Sequence, residues 1–158
     1  MSLTLSPYCG RLPLINHVLR KGQPHPFIQV MTRSYPALIL WHKLFYSISV
    51  NGNNSFASKT KVITTGLLQY LNPVSLAYWA MHDGSRAPNG YYFHTEGFTL
   101  KECYLLVAML PYCFGLFSTI QQHAGKPMIK VAAKSMPLFR SIVTPHFHQS
   151  MLYELGPK

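Results

Sequence analysis

From residue 72 onward the apolar positions switch between two spacings, and each switch marks a new element. Asn72 followed by Pro73 predicts a capped helix start. Val74, Leu76, Ala77, Ala80 and Met81 then recur at helical spacing, and Asp83-Gly84 ends the run. Tyr91 to Thr95 reads as a strand. Thr99-Leu100-Lys101-Glu102 is a capping box that opens a helix running through Leu110, where Pro111 follows. Phe117 to His123 and Met128 to Ala133 read as a hairpin around Ala124-Gly125-Lys126. Ser135 to Val143 is a further short helix, and Pro145 separates it from a final turn ending near Leu155.

Upstream the pattern is looser. Residues 1–26 hold Pro7, Gly10, Pro13, Gly22, Pro24 and Pro26 and are expected to be an irregular, basic extension, leaving 27–158 as the folded domain. Phe27 to Thr32 is a short β-rich run. Tyr35 to Tyr46 has helical spacing, with Pro36 in its first turn and Ser34 as a cap. Asn51 to Ser58, containing Asn51-Gly52, is a polar loop. Helix, strand, helix, two strands and helix in that order predict an α+β domain with an antiparallel sheet.

The hairpin carries a second signal. Lys126, Lys130 and Lys134 fall on even positions, with Met128 and Ala132 between them, and Pro127, Ile129, Val131 and Ala133 fall on odd ones. Side chains of a strand alternate faces, so the lysines are expected to share one face while the apolar set packs on helices. Gln121 and His123 precede them, and Arg33 lies at another expected strand end. A basic ribbon of this kind suits nucleic acid, where Gln and Arg read base edges.

Charge strengthens that reading. The 158 residues hold 14 Lys and Arg against four acids, Asp83, Glu96, Glu102 and Glu154, for a formal net charge of +10. An uncompensated positive field favours a polyanionic partner, because neutralising phosphates releases counterions. Cys9, Cys103 and Cys113 form no CxxC pair and are read as reduced and structural. The longest apolar run, Cys103 to Phe117, is shorter than the roughly 20 residues of a membrane span, so no membrane partner is expected. Met1 to Gly10 has neither a secretory signal nor an Arg-rich presequence; for a protein that works in an organelle, this predicts synthesis there or prior processing. His146 and His148 lack further ligands at zinc spacing, and no phosphate-binding glycine loop occurs. Trp41, Trp79, Tyr91 and Tyr92 are expected to be core rather than base-stacking platforms.

Leu71 to Arg86, LNPVSLAYWAMHDGSR, resembles the second motif of the LAGLIDADG homing endonucleases. Phe93-His94-Thr95 with Gly97-Phe98-Thr99 resembles that family's following strand and helix start, and Ser135 to Leu155 its closing segment. Phe27 to Tyr46 resembles the tail of a preceding half. The resemblance implies one LAGLIDADG half, an antiparallel β-sheet saddle backed by helices. It also implies that Asp83 is the metal-binding carboxylate for Mg²⁺, with Lys61 as a basic residue near the metal and Arg86 available to a phosphate. The chain departs from the pattern in three places. No second motif accompanies Asp83, which is the only Asp. Glu154 stands where the family has a late Lys, and His82 where many members have a further acid.

The resulting expectation is a LAGLIDADG-derived protein that keeps nucleic-acid binding and has lost cleavage. RNA is the favoured target, with a role as a splicing aid or as a structural component of an organellar ribonucleoprotein such as a mitoribosome, in a mitochondrion or other organelle. The alternative is an active Mg²⁺-dependent, site-specific DNA endonuclease working as a dimer or with a separate second half. A scaffold whose basic face binds acidic protein is a third reading, with no specific residue behind it.

Overall fold

A computed structural model describes residues 8–49 and 58–156, so all but Ser58 of the expected polar loop lies outside the described residues. The chain divides into two compact units, residues 1–41 and 42–158.

In the first unit, β1 (Leu14–Arg20) and β2 (Gln23–Gln29) form an antiparallel hairpin, where the sequence suggested irregular chain. The turn is Lys21-Gly22, both with positive φ (49° and 76°), the two-residue form whose twist suits a hairpin. The prolines that argued against a strand are compatible with it. Pro24 and Pro26 face Leu19 and His17, two residues apart, so both missing N–H groups fall on the strand's outer side. The boundary between the units falls inside α1 (Leu38–Phe45).

The second unit begins with a short antiparallel pair, β3 (Tyr46–Ser49) and β4 (Ser58–Lys61). A 3₁₀ turn over Thr65–Tyr70 leads into α2 (Pro73–Asp83). Its cap is reciprocal: the Asn72 side chain accepts from the Ser75 N–H, and the Ser75 hydroxyl accepts from the Asn72 N–H. β5 (Gly84–Ala87), which the sequence pattern did not reveal, follows with no intervening loop and pairs with β6 (Gly90–Phe93). α3 (Leu100–Phe114) is opened by the Thr99/Glu102 capping box and continues past Pro111 instead of stopping at Leu110. Pro111 has no N–H for the Val107 carbonyl, and the helix runs only to Phe114 beyond it, where Gly115 in the left-handed region (φ 69°) closes the helix by donating to the carbonyls of Leu110 and Pro111. β7 (Ser118–His123) and β8 (Lys126–Ala132) form the expected hairpin, turned at Ala124-Gly125 with both φ positive. α4 (Met136–Val143) and 3₁₀ turns over Thr144–His146 and Gln149–Leu155 complete the unit.

The four-stranded sheet has the order β5-β6-β8-β7, antiparallel throughout. Its register aligns Tyr91 with Val131 and Phe93 with Ile129, and all four are fully buried. They meet Leu76, Ala77 and Ala80 of α2, Cys103, Leu106 and Leu110 of α3, and Phe139 and Val143 of α4. Trp79 stacks on Phe93 at 4.0 Å, and Phe139 packs against Tyr91 at 5.0 Å. This is an α+β fold with helices on one face of an antiparallel sheet. No helix among the described residues is long and apolar enough to cross a membrane.

Candidate nucleic-acid interface

The inward rows of the sheet fix what points outward. Tyr91 and Phe93 face the core, so Tyr92 between them faces out, paired with Ser85 on one side and Lys130 on the other. Lys130 in turn pairs with Thr119. A row Ser85–Tyr92–Lys130–Thr119 therefore crosses all four strands on the side away from the core. Toward the tip of the β7–β8 hairpin the same face carries Gln121, paired with Met128, and then His123, paired with Lys126. Beyond the end of β6, His94 and Glu96 continue the outward parity, while Thr95 between them is fully buried and its hydroxyl donates to the Pro127 carbonyl at 3.1 Å.

Several contacts hold these side chains. The Lys130 ammonium lies 5.7 Å from the centre of the Tyr92 ring. Ser85 Oγ and His94 Nε2 are 2.8 Å apart, and His94 Nδ1 lies 3.2 Å from Glu96 Oε1. His123 Nδ1 approaches the same Oε1 at 3.8 Å. The Glu96 backbone N–H and the two histidines hold its carboxyl below the usual carboxylate range, against a smaller opposing effect of burial.

Of the residues singled out in the sequence, Gln121, His123, Lys126 and Lys130 thus come together on one face, where His123 and Lys126 are exposed, Gln121 and Lys130 are half-buried, and Met128 between the two lysines is buried. Lys134 does not sit on the strand: β8 ends at Ala132, and Lys134 lies in a 3₁₀ turn with its ammonium 4.2 Å over the Phe117 ring. Ala133, expected among the packed set, is exposed for the same reason. Arg86 has the opposite parity, paired with Tyr91. It lies at the sheet's β5 edge, where its N–H donates to Glu154 at 3.3 Å and its guanidinium flanks Gly156. Arg33 belongs to the first unit, just past the isolated bridge between Cys9 and Thr32, with its N–H donating to Tyr8; it is not at a strand end. Lys61 closes β4 opposite Tyr46 and is exposed.

Asp83 is the last residue of α2, exposed, with its carbonyl accepting from the His94 N–H at 2.7 Å. Gly84 beside it is required by close packing: a Cβ there would collide with the Ala80 carbonyl and the Tyr91 ring. Mg²⁺ is usually held by one or two carboxylates together with phosphate oxygens and water, and two-metal hydrolysis needs ligands flanking both ions. Among the described residues no three His, Cys, Asp or Glu side chains come together so as to hold a metal ion; Asp83 would supply one carboxylate at the end of α2.

Sequence reasoning missed Tyr92, Ser85, His94, Glu96 and Thr119. Placing both Tyr91 and Tyr92 in the core ignored the alternation that a strand imposes. Trp41, also expected in the core, is 44% exposed. Ser85 and Thr119 became visible only through cross-strand register.

The family model for the LAGLIDADG DNA endonuclease family matches residues 5–139. The cytochrome b mRNA maturase bI2 of Saccharomyces cerevisiae is 32% identical over 154 residues, covering 94% of this chain and 36% of the maturase. The intron-encoded endonuclease ai4 of Dictyostelium discoideum is 39% identical over 92 residues, covering 57% of this chain and 58% of that protein. The chain thus spans well under two thirds of the length of these relatives. The structure of the homing endonuclease I-WcaI bound to its DNA recognition sequence superposes with a TM-score of 0.84 at 24% identity, covering 98% of this chain and 68% of that one.

Proposed function

Because the chain belongs to the LAGLIDADG DNA endonuclease family, we propose that it binds nucleic acid through the open face of its four-stranded sheet and serves RNA as a splicing aid, with cleavage lost. The observation that carries this reading is that Lys126, Lys130, Gln121 and His123 lie together on the sheet face opposite the one packed on the core helices. A net charge of +10 supports it, since a polyanion relieves the self-repulsion of such a surface. The alignment with a maturase over 94% of this chain favours the splicing role over a place in a mitoribosome. Loss of cleavage rests on Glu154 at the position of a late Lys, where a carboxylate opposes the charge that phosphoryl chemistry needs. The host would be a mitochondrion or other organelle.

A second reading, a Mg²⁺-dependent DNA endonuclease completed by another half, is favoured by the retained Asp83-Gly84 helix end and by the relative named as an intron-encoded endonuclease. One experiment separates the two. Purified protein is mixed with Mg²⁺ and either its host intron RNA or a duplex carrying the exon junction, alongside an Asp83→Asn variant. The splicing reading predicts intron binding and splicing enhancement that Asp83→Asn leaves intact, with no cut duplex. Cutting that disappears in Asp83→Asn would overturn it in favour of the second.

A further inference from the structure

Two guanidinium groups meet at the β5 edge of the sheet, off the lysine-bearing face. Arg86 stands on β5, and Arg140 in the last turn of α4. A Cβ on Gly156 would lie 3.1 Å from Arg86 Nε and 3.6 Å from Arg140 Nη2, so both groups flank one point just past the Gln149–Leu155 turn. Arg140 is half-buried, and its Nε donates to the Leu155 carbonyl at 2.9 Å. That bond orients the group and leaves its Nη donors without a partner among the described residues. Arg86 is exposed. No described carboxylate forms an ion pair with either group, since the ion pairs among the described residues all involve Glu96. Glu154 lies close by, but its carboxylate accepts the Arg86 backbone N–H at 3.3 Å and the Tyr153 hydroxyl. Two like charges held side by side repel one another, and an anion between them removes that repulsion. The planar donor forks of guanidinium match the oxygens of a phosphate.

We propose that Arg86 and Arg140 together grip one backbone phosphate of the bound RNA where the strand passes over the β5 edge. This rests on the reading of the sheet as the nucleic-acid surface. The outward row Ser85–Tyr92–Lys130–Thr119 ends on β5 at Ser85, the residue before Arg86. A polynucleotide that crosses this row therefore comes next to the arginine pair. Phosphate contacts carry no base information, so the pair fixes the position of the RNA and leaves its sequence preference to other residues.

The test compares wild type with Arg86→Gln, Arg140→Gln, their double variant and Lys126→Ala/Lys130→Ala, all as full chains checked by thermal melts. Arg86→Gln alters an exposed residue, so it stays informative if Arg140→Gln unfolds early. Binding to the host intron RNA is measured across a salt series. One shared phosphate predicts that either single substitution weakens binding about tenfold. The double variant should be little weaker than either single one, because the two groups act as a unit. Its log–log salt slope should fall by roughly 1. Additive losses would split the pair into two independent contacts and end the proposal, as would wild-type affinity and slope in the double variant. Melting in inorganic phosphate, against chloride of equal ionic strength, separates the source of the anion. Phosphate should raise the melting temperature of wild type and of Lys126→Ala/Lys130→Ala, and not of the double arginine variant. That same pattern with RNA binding untouched by the arginine changes would assign the site to free phosphate instead of RNA. Failure of the two readings is distinguishable: if the lysine variant also binds RNA like wild type, the sheet-face reading falls first, whereas unaltered binding in the arginine variants alone removes only the clamp.

Discussion

Gly84 shows how one residue joins the motif helix to the sheet. Its missing Cβ leaves room for Tyr91, whose hydroxyl donates to the Ala80 carbonyl at 3.0 Å. Burial, with the Glu154 charge adding, pushes the Tyr91 hydroxyl upward, so it remains a donor at any physiological pH. Gly84→Ala should cost about 1–3 kcal/mol of stability, as overpacking of a close contact does. Tyr91→Phe should cost about 1 kcal/mol, the net value of one buried hydrogen bond. Urea unfolding measures both, and a Gly84→Ala protein as stable as wild type would show that the helix end can shift freely. The Asp83-Gly84 pair was readable as a helix end in sequence, whereas the reason for Gly84 was not, because Tyr91 reaches it only through strand pairing.

At the scale of an element, α3 is the clearest case of local sequence dictating structure. Thr99 and Glu102 were recognisable as a capping box, and the Glu102 carboxylate accepts the Thr99 N–H at 2.7 Å as expected. Its second role was hidden: Oε1 accepts the Ile63 N–H at 2.9 Å, tying the chain after β4 to the helix start. Partial burial raises the Glu102 carboxyl, and the Thr99 hydroxyl with the Thr99 and Ile63 N–H groups outweighs it, for a net lowering. A carboxyl lowered on folding contributes stability that is present above its unfolded value and is lost as pH falls through its folded value. Glu102→Gln should therefore cost about 1 kcal/mol at pH 7. The difference from wild type should shrink as acid titrates the carboxylate, a trend that melts from pH 7 to pH 3 would register. A gap that stayed constant over that range would locate the effect in packing. The N-terminal hairpin is the opposite case. Its prolines pointed away from a strand, and only the direction of their backbone nitrogens in the pairing reconciles them with one.

Across the whole molecule, charge and fold meet on the open sheet face. Replacing Lys126 and Lys130 together by Ala should weaken binding to every RNA alike and lower the log–log salt slope by roughly 2, one for each phosphate no longer neutralised. Lys134→Ala should change it less, since that ammonium leaves the strand and rests on Phe117. An unchanged slope in the double variant would put the phosphate-binding groups elsewhere on the chain. The sequence by itself determined the α+β class, the capped motif helix ending at Asp83, the β7–β8 hairpin and the sign of the surface charge. Those depend on residues a few positions apart and on composition. Only the tertiary structure decided which polar side chains share a face, that Lys134 and Arg86 stand apart from it, and that Glu96 joins it between two histidines. Those are matters of register between strands distant in sequence, and no local pattern encodes which residue lies across from which.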